Sequence, residues 1–94
     1  MDLDTQCEMC KILANPSRLA ILNVLNKSPR TVSEIVKLTK LSQSTVSQHL
    51  AMMKSRGILE IKKKGAFSQY KIKYPQIMKA LSIMKKIIKR VKKE

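Results

Sequence analysis

Ninety-four residues give room for one small domain, and no apolar run reaches the roughly 18 residues that a membrane-spanning helix needs. Twenty Lys and Arg against six Asp and Glu give a formal net charge of +14, which favours a polyanionic partner. Because the basic residues are spread over both halves of the chain, a membrane-surface role is disfavoured. One histidine, no clustered carboxylates and no glycine-rich phosphate loop leave too little for an enzyme's catalytic site.

The N-terminus bears on both the location of the protein and its first helix. Residues 1–4 lack the basic and apolar regions of a secretory signal peptide, so we expect a cytoplasmic protein with reduced cysteines. The stretch from Thr5 to Glu8 has the form of a capping box, which predicts a first helix running from there to about Ala14.

Cys7 and Cys10 lie three positions apart in this predicted first turn, so their sulfur atoms can approach each other. A thiol near a helix N-terminus is more reactive than an ordinary one. Three roles stay open for the pair: packing, thiol redox chemistry and the binding of a metal ion. Since one such pair supplies only two thiolates, a tetrahedral metal site would need both protomers or other ligands.

Two further helices have marked starts. Asn15 and Pro16 form an N-cap followed by proline at the first helical position, and this second helix is predicted to end before Pro29. Thr31 to Glu34 form another capping box that opens a third helix. The residues predicted to face the core are Leu19, Ile21, Leu22 and Leu25 in the second helix, and Ile35, Val36 and Leu38 in the third.

A fourth helix is predicted over residues 42–56, with Ser42 as its N-cap and Gly57 at the left-handed position after its end. One side is an apolar stripe, and the other carries small hydroxyl and amide side chains and almost no acid. Gln can pair bidentately with adenine, and Ser or Thr can bind a base edge or a phosphate. The alternative is an ordinary solvent-exposed polar face. The stripe is Val46, Leu50 and Met53, and the polar side is Gln43, Ser44, Ser47 and Gln48.

A short turn around Lys40 joins the third and fourth helices, which is the helix-turn-helix arrangement. After Gly57 the apolar period changes from 3.6 to 2, which predicts a two-stranded hairpin with its turn at residues 64–66. We expect the three lysines Lys62, Lys63 and Lys64 at its tip to lie along DNA phosphates as a wing. The alternative is that they protect a strand edge from aggregation.

The last helix is predicted to begin at Pro75, and its apolar stripe is too long for a small domain to cover. A second copy of the chain is the expected cover, and packing on the helix's own core is the alternative. The stripe consists of Ile77, Leu81, Met84, Ile88 and Val91, and the opposite face carries Lys79, Lys85, Lys86, Lys89, Arg90, Lys92 and Lys93.

Two stretches, residues 13–22 (Leu-Ala-Asn-Pro-Ser-Arg-Leu-Ala-Ile-Leu) and 41–50 (Leu-Ser-Gln-Ser-Thr-Val-Ser-Gln-His-Leu), resemble the ArsR/SmtB family of winged-helix transcriptional repressors. The resemblance implies a mainly α fold with a small β-hairpin, in the winged helix-turn-helix order α1-α2-α3-α4-β1-β2-α5. It also implies a homodimer whose first and last helices pair. Its recognition helices would then enter successive major grooves of an inverted repeat.

The metal sites familiar in this family are not matched. Where many members have Cys-Val-Cys at the start of the third helix, this chain has Thr31 and Ser33, and residues 75–94 contain neither Asp nor His. His49 matches a position often occupied by His in the family. It is interpreted either as a DNA contact or as a buried side chain with its hydrogen bonds satisfied.

The sequence therefore predicts one winged-helix domain over residues 1–94, with residues 1–14 and 75–94 as dimerisation helices. The predicted function is a sequence-specific, double-stranded DNA-binding regulator, a repressor that thiol redox or a metal ion at Cys7 and Cys10 would switch. The alternatives are a non-specific architectural DNA-binding protein and a protein-interaction module. The predicted DNA-binding residues are Ser42, Gln43, Ser44, Thr45, Ser47, Gln48, His49, Lys54, Lys62, Lys63 and Lys64.

Overall fold

The computed structural model describes residues 2–94. Within them, five helices and one two-stranded antiparallel sheet follow the predicted order. The predicted winged helix-turn-helix fold is therefore confirmed. The elements are α1 Leu3–Leu13, α2 Pro16–Leu25, α3 Val32–Thr39, α4 Gln43–Ser55, β1 Leu59–Lys64, β2 Phe67–Ile72 and α5 Gln76–Lys93.

The hydrophobic core lies between α2, α3, α4 and the base of the hairpin. The three apolar residues predicted on α4 are fully buried there, and so is Ile35 of α3. Burying one such side chain contributes about 1.5–3 kcal/mol, so these contacts fix the rotation of α4 about its axis. The polar side of α4 consequently faces outward. The core consists of Ile12, Ile21, Leu22, Leu25, Ile35, Val46, Leu50, Met53, Ile58, Leu59 and Ile72.

Side-chain caps start the three central helices as predicted. The Asn15 side chain accepts a hydrogen bond from the Arg18 backbone N–H at 3.1 Å, and Ser42 Oγ accepts one from the Thr45 N–H at 3.2 Å. Thr31 and Glu34 exchange both bonds of a capping box, at 3.2 and 2.9 Å. These contacts satisfy N–H groups that have no partner inside a helix.

Two left-handed residues end α3 and α4. Gly57 has φ +78° directly after the C-cap of α4, where glycine is expected. Lys40, the C-cap of α3, has φ 62° and is the only non-glycine residue at positive φ within residues 2–94. The turn between α3 and α4 therefore carries local strain, because a side chain makes the left-handed conformation unfavourable.

The predicted start of α1 is wrong by one turn. Asp2 is its N-cap, and its carboxylate accepts a hydrogen bond from the Thr5 N–H at 2.7 Å, so Thr5 lies inside the helix. Cys7 and Cys10 therefore lie beyond the first turn, where the N-terminal dipole no longer raises thiol reactivity appreciably. The prediction that Leu38 faces the core is also wrong. Its side chain is 51% exposed because the side of α3 that faces the core is centred between Ile35 and Val36, and Leu38 lies about 60° beyond Ile35 in the other direction.

The hairpin register runs from Leu59 opposite Ile72 to Lys64 opposite Phe67. Only Gly65 and Ala66 remain for the turn, so the prediction that the turn begins at residue 64 is wrong. Lys62, Lys63 and Lys64 are strand residues, because each pairs with a residue of β2. A second pairing beside β2 was not predicted from the sequence. There Arg30 and Tyr70 exchange backbone hydrogen bonds of 3.0 and 2.7 Å, which anchors the hairpin to the chain before α3.

Candidate nucleic-acid interface

The reading face, which we define as Gln43, Ser44, Ser47 and Gln48, is exposed along one side of α4. It has no acidic neighbour on its own helix, since α4 contains neither Asp nor Glu. Lys54, near the C-terminal end of the helix, is exposed too. Short donor and acceptor groups on a rigidly held helix are suited to the edges of bases in a major groove, which is wide enough to admit one helix.

Ser42 and Thr45 are partly occupied by contacts within the protein. Ser42 Oγ lies 2.8 Å from Thr45 Oγ1, while it also accepts the Thr45 N–H that caps the helix. Thr45 is half-buried. Both hydroxyls stabilise the start of α4, and they stand apart from the freely exposed residues of the reading face.

His49 is half-buried on α4 but lies outside the reading face, about 100° around the helix axis from Gln48, and Arg18 contacts it there. Arg18 Nε donates to His49 Nδ1 at 3.2 Å, and Arg18 Nη1 donates to the Ile12 carbonyl at 3.2 Å. Burial, and then the charge of Arg18, lower the pKa of His49 below its ordinary value of 6.5. The contact could not be predicted from the sequence, because 31 positions separate Arg18 from His49 and no local pattern links them.

The wing lysines, which we define as Lys62, Lys63 and Lys64, are all exposed in β1. Successive side chains alternate across a sheet, so Lys62 and Lys64 share one face and Lys63 lies on the other. Glu60, which shares the face of Lys62, is paired with Lys71 at 3.2 Å. The only acidic residue of the hairpin is thereby neutralised, and the wing presents a positive surface.

The outer surfaces of α1 and α5 are apolar and uncovered within residues 2–94. Leu3, Cys7 and Cys10 follow at i, i+4 and i+7 on α1, and all three are exposed. No residue of α5 is fully buried, and only Ile77 and Met78 of that helix pack against the core. The rest of its apolar stripe is exposed, including Met84, Ile88 and Val91, while Leu81 is half-buried.

An open cavity of about 290 Å³ continues this apolar surface between α2 and α5. Leu19 lines it from α2, and Leu81 and Ile88 line it from α5. Within residues 2–94 no group of three or more His, Cys, Asp or Glu side chains is placed to hold a metal ion. In the same range, no helix is both long enough and apolar enough to span a bilayer.

Comparison with known proteins identifies the family. The family described as "Bacterial regulatory protein, arsR family" matches residues 15–60, which extend from the N-cap of α2 to the start of β1. The transcriptional repressor PagR of Bacillus anthracis is 35% identical over 88 residues, which cover 93% of this chain and 88% of that protein. The chain belongs to the ArsR family of bacterial regulatory proteins.

Solved structures of similar proteins agree with this assignment. Rv0081 of M. tuberculosis superposes with a TM-score of 0.85 at 30% identity, over 94% of this chain and 89% of that chain. The homodimeric winged helix-turn-helix DNA-binding domain of Mb0332 from Mycobacterium bovis has a TM-score of 0.80 at 29% identity, over 93% and 81%. This ArsR-family chain is accordingly a DNA-binding transcriptional regulator and not an enzyme.

Proposed function

We propose that the chain is a homodimeric repressor that recognises a specific inverted repeat in double-stranded DNA. The observation that carries this proposal is the division of α4 into two sides. Val46, Leu50 and Met53 are fully buried, whereas the reading face is exposed to solvent, polar and without acidic residues. A helix locked on one side and polar on the other can enter a major groove without rearranging.

Each group of residues has its own role in this proposal. Gln43 and Gln48 read bases, because an amide can donate and accept at one base edge, and Ser44 and Ser47 serve bases or phosphates. Lys54 and the wing lysines bind phosphates and supply affinity that does not depend on sequence. Ser42 and Thr45 stabilise the N-terminal turn of α4 by their hydrogen bonds to each other. This turn lies next to a DNA phosphate in the proposal, because the helix dipole favours an anion at a helix N-terminus.

The dimer follows from the uncovered stripes on α1 and α5. Isolated helices with an exposed apolar face are marginal in water, so α5 needs a cover that residues 2–94 do not supply from their own core. A second copy brings an identical stripe, and the continuity between α5 and the cavity beside α2 supports this occupant. Residues 1–14, of which residue 1 lies outside the described residues, and residues 75–94 would then be the dimerisation segments. The interface would contain Ile77, Leu81, Met84, Ile88 and Val91.

The test compares two single substitutions in a fluorescence anisotropy titration, with the chain's own upstream DNA and a scrambled duplex as probes. Gln43→Ala should weaken binding to the upstream DNA by about 1–3 kcal/mol and reduce the preference over scrambled DNA. Lys63→Ala is the matched control, which should weaken both duplexes equally and lower the salt slope by about one unit. An unchanged preference in Gln43→Ala would rule out the assigned reading face. Equal binding of both duplexes by the parent chain would favour the non-specific architectural protein.

The role of Cys7 and Cys10 is proposed as a thiol switch of this dimer. Both thiols are exposed beside Leu3 on the outer side of α1, the side that the partner would cover. Joining two thiols as a disulfide releases two protons and two electrons to an oxidant such as diamide, and it changes the spacing of groups at the interface. A metal ion bound by thiolates of both protomers is the competing role.

Redox and metal switching predict different results. A preference for upstream DNA that collapses with diamide and returns with dithiothreitol supports the redox switch, provided that Cys7→Ser is insensitive to both. A collapse caused only by added Zn²⁺ under reducing conditions supports the metal. If neither treatment changes binding, the cysteines only pack. The predicted cytoplasmic location stays a prediction.

A further inference from the structure

The proposed dimerisation helices, α1 and α5, are attached to the rest of the domain mainly near one end. Helix α1 packs against the core through Ile12 and Leu13 at its C-terminal end, and the rest of that helix is exposed. On α5 the residues that pack against the core are Ile77 and Met78, in its first turn. All the other buried residues of the core lie within residues 16–72, which we call the reading body.

One polar contact joins α1 to the reading body away from that attachment. Arg56 Nη1 donates to Glu8 Oε2 at 3.2 Å. Within residues 2–94, this is the only side-chain hydrogen bond or ion pair between residues 3–11 and another element of the fold. Arg56 is the C-cap of α4, and Glu8 lies one turn before Ile12 on α1. The contact therefore fixes α1 at a second point along its length, which sets its angle to α4.

The two sides of α1 have different neighbours. Glu8 and Ile12 lie within about 40° of each other around the helix axis, on the side that contacts the reading body. The exposed stripe of Leu3, Cys7 and Cys10 lies about 150° away, on the side where the partner is proposed to bind. In the proposed dimer, α1 therefore connects the partner to the reading body.

A small change in the angle between α1 and α4 moves the recognition helix by a distance that matters for DNA. The N-terminal end of α4 lies about 20 Å from Arg56, because its 13 residues rise about 1.5 Å each. A rotation of about 10° would move that end by about 3.5 Å, close to one base-pair step. Arg56 lies about 150° around α4 from the centre of the reading face, so its contact leaves that face free.

We propose that the ion pair of Glu8 and Arg56 is a latch that sets the angle between α1 and the reading body, and thereby the distance between the two recognition helices of the dimer. The inference rests on the proposed dimer, and it names the contact that matches the dimer to an inverted repeat, whose half-sites lie about one helical turn apart. An exposed ion pair shifts an equilibrium by no more than about fivefold, so this latch opens and closes readily.

The latch lies beside the cysteine pair. Glu8 directly follows Cys7, and Cys10 belongs to the same turn of α1. A change at these thiols therefore acts on the turn that carries the Glu8 carboxylate. The proposed thiol switch thus has a route to the recognition helices that needs no movement inside the hydrophobic core.

A distance between spin labels on the two protomers tests the latch directly. The labelled chain carries Cys7→Ser and Cys10→Ser, so that a nitroxide attaches only at Ser44→Cys in the first turn of α4. Pulsed electron paramagnetic resonance at concentrations where the chain is dimeric then measures the separation of the two recognition helices. With the latch intact, we expect one narrow distance distribution.

Reversing the charges of the pair separates the latch from other effects. Glu8→Arg places a cation in a cavity that Lys11, Arg18 and Arg56 also line, so repulsion should open the latch and broaden or shift the distance by several Å. Adding Arg56→Glu to the same chain re-forms the pair in the opposite sense and should restore the narrow distribution. The matched control is Glu60→Arg, which breaks an ion pair of equal length inside the reading body and should leave the distance unchanged.

The unlabelled variants should show the same pattern in DNA binding. Glu8→Arg should lower the preference for upstream over scrambled DNA several-fold, and the charge-reversed pair, which has the net charge of the parent chain, should recover it. An unchanged distance in Glu8→Arg, or a broadened one that Arg56→Glu does not restore, would overturn the latch. A broadened distance with an unchanged preference would overturn its role in reading DNA. The absence of any distance between protomers would refute the proposed dimer itself.

Discussion

Ile88 provides a quantitative test of the dimer. Its side chain is 48% exposed, so roughly half of its apolar surface remains to be buried by a partner. Ile88→Ala removes three carbon atoms, worth about 2.4 kcal/mol if fully buried at about 0.8 kcal/mol each. Half of that is about 1.2 kcal/mol for each protomer. A twofold interface contains the residue twice, so the dimer should lose about 2.4 kcal/mol, or roughly 50-fold in its dissociation constant.

Sedimentation equilibrium over a range of protein concentrations measures this constant directly. Lys86→Ala is the matched control, because Lys86 lies on the opposite face of the same helix and its loss should not weaken the dimer. The fold of each protomer should survive Ile88→Ala, since Ile88 lies outside the core. If Ile88→Ala dimerises as tightly as the parent chain, the α5 stripe is not the interface, and if the parent chain is monomeric throughout, the dimer does not exist.

Two further predictions concern stability. Lys40→Gly should raise the free energy of unfolding by about 0.5 kcal/mol, because relief of the strain at φ 62° outweighs the added freedom of the unfolded chain. Urea unfolding measures this change, and a Lys40→Gly chain no more stable than Lys40→Ala would contradict the prediction. The lowered pKa of His49 means that the unfolded chain binds more protons just below pH 6.5, so stability should fall as the solution is acidified through that range. The pKa of Glu34, lowered by the Thr31 N–H, adds a second loss at lower pH, below its ordinary value of 4.5. Urea unfolding of His49→Asn as a function of pH should lack the first loss and keep the second, and an unchanged profile would show that another group titrates.

Local signals were enough to predict most of the fold. The signals that start or end a helix act within a few residues, and the structure confirms those predicted for α2, α3 and α4. They are Asn15 with Pro16, the capping box of Thr31 and Glu34, and Ser42 with Gly57. The start of the first helix was predicted wrongly from the same kind of signal, because Asp2 and Thr5 lie one turn apart and both residue types are good N-caps. The helix begins after Asp2 because the Asp2 carboxylate accepts a hydrogen bond from the Thr5 backbone N–H.

Features that depend on distant parts of the chain could not be predicted. The bridge between Arg30 and Tyr70 joins segments separated by a whole helix-turn-helix, and neither residue carries a signal for the other. The contact between Arg18 and His49 is of the same kind. The reading face on α4 could be predicted because its periodicity and composition are local, whereas the Arg18 side chain that contacts His49 comes from another helix.

The segregated charge of α5 should give the proposed dimerisation and the binding of DNA opposite responses to salt. Seven Lys and Arg residues and no acid lie between Gln76 and Lys93, so two copies brought together repel each other, and added salt screens that repulsion. Added salt should also weaken the proposed attraction between the wing lysines and DNA. At protein concentrations near the dimer dissociation constant, occupancy of DNA is therefore expected to rise and then fall as salt increases. The cell's ionic strength would thus act as a second input to the regulator, beside any chemical signal at the cysteines.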